Sequence, residues 1–243
     1  MEGIPVFFHK QCFIPGVTLF VYKNTFIVSS ARPMRVIGTA VLGAELRLAR
    51  YIINHSVEKS YGSSAPEEEL RQVAESLMLG QDVLGMMTTA SINNTVLCRE
   101  RLNGLAVATL CTADWGSPGL GDLAAGLVPE QHRPTNNFIL LIDGNLNAAD
   151  MVNAVITASE ARTKALLWPA PSGAEKARGA GSIVVACTGR GEPISGTGKA
   201  ASLEYLLGST VHRAVSLGMK SYPPRTPGYS GKGRVIPING AKP

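Results

Sequence analysis

The chain has 243 residues, of which 45% are hydrophobic and 17% charged; such a composition builds a globular core and excludes a fully disordered chain. No apolar run reaches the roughly 18 residues a membrane span needs, and the first ten residues lack the basic start and long apolar stretch of a secretory signal. The net charge of +5 comes entirely from Lys220, Arg225, Lys232, Arg234 and Lys242, with no acid among them, so a basic nucleic-acid-binding face is not indicated.

Residues 17–30 place β-branched and aromatic residues on both sides of Lys23-Asn24, the pattern of a hairpin. Residues 43–54 carry Leu46, Ala49, Tyr51, Ile52 and Ile53 among arginines at a spacing that predicts a short helix. Pro66, followed by three glutamates, predicts a helix of about 14 residues ending at Gly80, since proline fits the first turn and acids there suit the helix dipole. Val83–Ala90 reads as a strand. Residues 94–101 and 105–113 flank Asn103-Gly104, a strong hairpin turn signal. After a Gly-rich loop at 116–126, residues 137–143 form a continuous apolar run, a buried strand.

Asn147, with Asp150 three residues on, predicts a capped helix. Its apolar face is expected to be Val152, Val155, Ile156, Ser159, Thr163 and Leu166, with Glu160 and Arg162 at opposite edges. Residues 183–187 read as a strand, 189–198 as a second glycine-rich loop, and about 200–217 as a helix. Hairpins followed by helix–strand–helix units predict a single α+β (mixed α/β) domain over 1–218, an antiparallel-rich mixed sheet flanked by helices. A basic Pro/Gly-rich tail follows over 219–243, read as a solvated extension.

Candidate chemistry is dispersed. The four cysteines, Cys12, Cys98, Cys111 and Cys187, form no metal-ligand spacing, so no metal site is read, and reduced, mostly buried thiols in a cytoplasmic chain are expected. Ser195-Gly196-Thr197-Gly198-Lys199 resembles a phosphate loop, but Pro193 and Ala200 break the nucleotide pattern; a ligand loop and a plain turn both remain open. Thr88, Thr89, Ser91, Thr112 and Asp114 sit at strand ends, where hydroxyls act as nucleophiles or hydrogen-bond donors, or do ordinary turn chemistry. Glu160 is either part of a catalytic wall or paired with Lys164. His55, after Asn54 in what reads as a loop, is the most interesting of the four histidines.

In order along the chain, Ser29-Ser30-Ala31, RLARYIINHSVEKSY at 47–61, GMMTTAS at 85–91, residues 109–113, TNNFILLID at 135–143, VITASEARTKAL at 155–166, SIVVA at 182–186 and SGTGK at 195–199 resemble the adenosylcobinamide amidohydrolases of corrinoid salvage. The resemblance implies hydrolysis of the amide joining a corrin propionate arm to aminopropanol, releasing adenosylcobyric acid for cobamide (vitamin B12) synthesis. It places the Glu of the family's Thr-Glu-Ala-Lys stretch on Glu160, its Asn-x-x-Val-x-x-x-Tyr pattern on Asn54, Val57 and Tyr61, and its Gly-Thr loop on Gly196 and Thr197. Glu160, Thr88 and Thr112 are the candidate catalytic groups. Asn54, His55, Asn137, Gly196, Thr197, Gly198 and Lys199 are the candidate substrate-binding groups.

Glycine-loop amides would serve an oxyanion, and the Glu160 helix and the Gly196–Gly198 turn are expected to converge on one pocket. The corrinoid is the expected partner, as substrate; no cofactor is implied, and metal requirement and homo-oligomer formation stay open. Departures from the family pattern at Gly43-Ala44-Glu45, Ala180-Gly181-Ser182, Ser159 and Arg162 keep a second reading, a non-catalytic corrinoid-binding paralogue.

Overall fold

The structure, a computed structural model, describes residues 10–11, 14–58, 60–114, 135–167, 181–194 and 197–220. Among these residues nine strands follow in chain order: β1 (Lys10–Gln11), β2 (Val17–Tyr22), β3 (Thr25–Gly38), β4 (Arg47–Ser56), β5 (Val83–Thr88), β6 (Val96–Leu102), β7 (Leu105–Asp114), β8 (Thr135–Asp143) and β9 (Ile183–Cys187). The helices among the described residues are α1 (Pro66–Ser76), α2 (Ala148–Leu167) and α3 (Thr197–Lys220), with a short 3₁₀ turn at Ile92–Asn94. The strands are hydrogen-bonded in the order β1-β2-β3-β9-β8-β7-β6, and β4 leaves this path to pair with both β3 and β5.

The long β3 explains how one sheet becomes two layers. Its first half pairs with β2 and β4; its second half pairs with β4 and β9, with a register shift between Ser29 and Met34. At the seam, a Cβ on Gly38 would stand 2.3 Å from the carbonyl oxygen of Ile183, so only glycine lets β9 approach. Strand alternation then sorts the side chains. Val28, Ile52, Leu84 and Met86 from one layer meet Ala108, Leu110, Ile139, Leu141, Val184 and Ala186 from the other. Ile27, Ile53 and Val83 face outward under Leu70 and Ala74 of α1. Val107, Phe138, Leu140 and Val185 face outward under α2 and α3. The result is an α–β–β–α sandwich, in keeping with the α+β class expected from sequence.

Local chemistry sets the element ends. Asn103 and Gly104 take φ of 49° and 78°, the two left-handed residues a type I′ hairpin requires. Asn147 caps α2 as expected: its Oδ1 accepts from the Asp150 N–H at 2.9 Å, and Asp150 Oδ2 accepts from the Asn147 N–H at 3.1 Å.

Three expectations are corrected. Residues 47–56 form a strand, not a helix, because Tyr51-Ile52-Ile53 fits a ladder already templated by β3 and β5. The α1 helix stops at Ser76, four residues before Gly80; Met78 takes the left-handed cap position, and Gly80 is left-handed two residues on. The buried face of α2 is Met151, Ala154, Ala158, Ala161 and Ala165, about 130° around from the face expected. Val152 and Ile156 are 46% and 51% exposed, because small side chains let the helix sit close to the sheet and to α3.

Candidate active site

Antiparallel and parallel pairings bring one set of strand ends together: the C-terminal ends of β4, β5 and β7 and the N-terminal ends of β8 and β9. At this end the apolar filling between the two layers gives way to polar side chains. Asn54, Thr88, Thr112 and Asn137 are all buried there. By strand parity each points into the space between the layers, like Ile52, Met86, Leu110 and Ile139 two residues away.

Asn137 binds them together. Its amide donates to Asn54 Oδ1 at 2.9 Å and to the Met87 carbonyl at 2.8 Å, and its Oδ1 accepts from the Ser182 N–H at 3.0 Å. Thr95 spends its hydroxyl proton on the Ile92 carbonyl at 2.7 Å, so in the 2.7 Å contact between Thr95 and Thr112 the donor is Thr112. Among the described residues the Thr112 hydroxyl thus donates to the Thr95 oxygen and not to a base. Thr88 accepts from the Ala90 N–H at 3.0 Å, which fixes its oxygen without using its own proton.

Above this floor lies an open cleft of about 560 Å³. Its walls are Ser56, Val57, Glu58, Ser60 and Tyr61 after β4, Thr89 and Ser91 after β5, Asn24 from the β2–β3 turn, and Glu69 from α1. Tyr61 donates its phenol hydrogen to Glu69 Oε2 at 2.8 Å. Hydrogen bonds from Ser63 and Tyr61 hold the Glu69 carboxyl below the usual carboxylate range, while desolvation and Glu69 raise the Tyr61 phenol. His55 lies on the outer face of β4, its Nδ1 at 2.8 Å from the Thr25 hydroxyl. Burial lowers its pKa, against a smaller upward pull from Glu69, so the imidazole is neutral near pH 7. The end of the sandwich therefore offers a neutral base, an ionised carboxylate with a phenol on it, and an anchored carboxamide.

The structure gathers some of the candidate residues and separates others. Asn54, His55, Thr88, Thr112 and Asn137 come to this one end, although none of them lines the cleft itself; their neighbours Ser56, Val57 and Thr89 do. Glu160 is exposed on the outer side of α2, roughly opposite that helix's buried stripe, and Thr163 back-bonds to the Ser159 carbonyl at 2.9 Å. Arg162 of the same helix reaches Asn136 Oδ1 at 3.5 Å, on the far face of β8 from Asn137.

Gly198 and Lys199 are exposed at the start of α3. The loop before them joins Asn145 beyond the C-terminal end of β8, and Ser202 accepts from Asn103 at 2.9 Å. Asn137 and Asp143, which mark the two ends of β8, are roughly 20 Å apart at strand rise. The expected convergence of the Glu160 helix and the glycine turn is thus not found: they stand toward opposite ends. Gly196 lies outside the described residues, and of Thr197 only the backbone is described.

Glu69 was missed by sequence reading. Its acid in a first helical turn reads as a dipole partner, and only the fold carries it to Tyr61. Cys98, Cys111 and Cys187 are free and buried, and burial pushes the Cys98 and Cys111 thiols up, which makes them inert. Among the described residues no three His, Cys, Asp or Glu side chains cluster as a metal site, and no helix is long and apolar enough to cross a membrane.

Among the solved structures similar to the chain are two at low identity. One is the PH0078 protein of Pyrococcus horikoshii OT3, at 10% identity and a TM-score of 0.46, covering 81% of this chain and 78% of that one. The other is the L-aminopeptidase D-Ala-esterase/amidase of Ochrobactrum anthropi, described as a variant of the Ntn hydrolase fold, at 10% identity and a TM-score of 0.43, covering 88% and 82%. At these scores neither carries an argument about chemistry. No curated protein matches the chain. A family model does, over residues 13–227, and with that span the chain belongs to the adenosylcobinamide amidohydrolase family.

Proposed function

We propose that the chain hydrolyses the amide between a corrin propionate arm and aminopropanol in adenosylcobinamide, giving adenosylcobyric acid for cobamide salvage. Water supplies the hydroxyl to the acyl carbon and the proton to the departing amine. One observation carries the reading: the family-like stretches at 47–61 and 85–91 are the ones that wall the cleft, through Ser56, Val57, Glu58, Ser60 and Tyr61 and through Thr89 and Ser91.

Amide hydrolysis needs a proton acceptor for water, a donor for the oxyanion and a proton for the amine. In this reading neutral His55, on the Glu69 side of β4, takes the proton, and the Ser91 hydroxyl in the cleft wall serves the carbonyl oxygen, while Asn54 and Thr88 face the other side of their strands and hold the strand ends in place. Ionised Glu69 receives the amine as it becomes an ammonium. Glu160 and the Gly198-Lys199 turn take no part.

The test is to incubate the purified chain with adenosylcobinamide and measure free aminopropanol by mass spectrometry. Release in step with adenosylcobyric acid supports the proposal. Corrinoid binding without amine release overturns it in favour of a binding paralogue.

A further inference from the structure

A second cavity, about 310 Å³, lies at the other end of the sandwich, beyond the C-terminal end of β9. Two stretches that the hydrolytic reading leaves unused meet there, although some 160 residues separate them. Ser30 and Arg32 come from the break in β3 pairing between Ser29 and Met34, and Thr188 and Arg190 come from the start of the glycine-rich loop after β9. Pro15 and the buried Met34 supply apolar wall.

Arg190 is fixed before any ligand arrives. Its Nε stands 3.0 Å from Asp143 Oδ1, its Nη2 donates to the Pro15 carbonyl at 2.6 Å, and its backbone N–H donates to Thr188 Oγ1 at 3.3 Å. Thr188 in turn donates to the same Asp143 oxygen at 2.9 Å. Asp143 thus offsets the charge of Arg190 and no more. Arg32 is exposed on the cavity wall, and no acidic side chain among the described residues pairs with it. Among the described residues the cavity therefore has one unbalanced positive charge, a second guanidinium held in place, the Ser30 hydroxyl and an apolar side.

We propose that this cavity binds a small organic oxyanion, whose carboxylate or phosphate meets Arg32 and Arg190 and whose carbon body lies on Pro15 and Met34. A planar guanidinium suits either oxyanion, and an arginine already immobilised loses little entropy on binding. The site is independent of amide hydrolysis.

Isothermal titration of the full chain at low ionic strength with phenyl phosphate, with benzoate and with inorganic phosphate tests it. Saturable one-to-one binding of phenyl phosphate or benzoate is expected, and which of the two binds separates the two oxyanion classes. Inorganic phosphate, with no carbon body, should bind about tenfold more weakly. Arg32→Gln, at an exposed position, should weaken binding about tenfold. Arg190→Lys, which keeps the charge but not the fork, should also weaken it, whereas Glu69→Gln in the opposite cleft should leave it unchanged. Absence of saturable binding by either aromatic anion, wild-type affinity in both arginine variants, or loss of binding in Glu69→Gln would overturn the proposal.

Discussion

Asn137 satisfies one buried group, Asn54 on β4, and two half-buried ones, the Met87 carbonyl on β5 and the Ser182 N–H ahead of β9. Each bond is ordinary, but removing the shared partner leaves Asn54 unpaired in the interior and the two half-buried groups without their bond at once. Asn137→Ala is therefore expected to destabilise the fold by about 3 kcal/mol, read as a lower urea midpoint, because unsatisfied buried groups cost more than the bonds were worth. His55 gives a second expectation at this scale. Its folded pKa is below the unfolded value of 6.5, so the unfolded chain binds the proton first. Stability from this group is whole above pH 6.5 and falls as pH drops from there toward the folded pKa. Denaturation midpoints across pH 5–7 should show this slope, and His55→Gln should flatten it. Gly181 is constrained in another way: a Cβ there would lie 1.9 Å from the Asn136 carbonyl oxygen, so the residue before Ser182 has to be glycine for β9 to start where it does.

At the scale of elements, α1 ends in a Schellman motif: the Leu79 N–H reaches the Ala74 carbonyl at 3.0 Å and the Met78 N–H reaches Glu75 at 2.9 Å. The left-handed position, φ 55°, is held by Met78, a side chain 91% exposed that contributes no packing. Met78→Gly should stabilise the protein by about 1 kcal/mol, measured as a rise in thermal midpoint. The α2 helix shows why its buried face was misread. A sum of apolar residues favours Val152, Val155 and Ile156, whereas close approach to the sheet and α3 favours the alanine stripe. Hydrophobicity along a helix states that a face is buried; steric fit to the neighbouring layer states which one.

For the whole molecule, the proposed function rests on the arrangement of strand ends. Glu69→Gln is expected to lower the rate of aminopropanol release by at least about a hundredfold, with Tyr61→Phe intermediate, if the cleft is where the amide is cut. Glu160→Gln, on the exposed side of α2, should stay within about twofold of wild type. The reverse pattern, in steady-state assays on adenosylcobinamide, would move the reaction to the outer helical layer.

Most strands, both hairpin turns, the capped start of α2 and the class of the fold were legible in the residues, because they depend on neighbours a few positions apart: Asn103-Gly104, Asn147 with Asp150, the apolar run before Asp143. The ordered family-like stretches were equally local. The β4 strand was not, since its pairing with β3 and β5 overrides a helical spacing. Nor was the site. Asn54 and Asn137 are 83 positions apart, and Tyr61 meets Glu69 only because α1 folds back over the strand ends. Sequence set which side chains were available and which short segments they shape. The doubling of the sheet at β3 decided which of them share an end, because chemistry at a site depends on distance through space and chain order does not encode it.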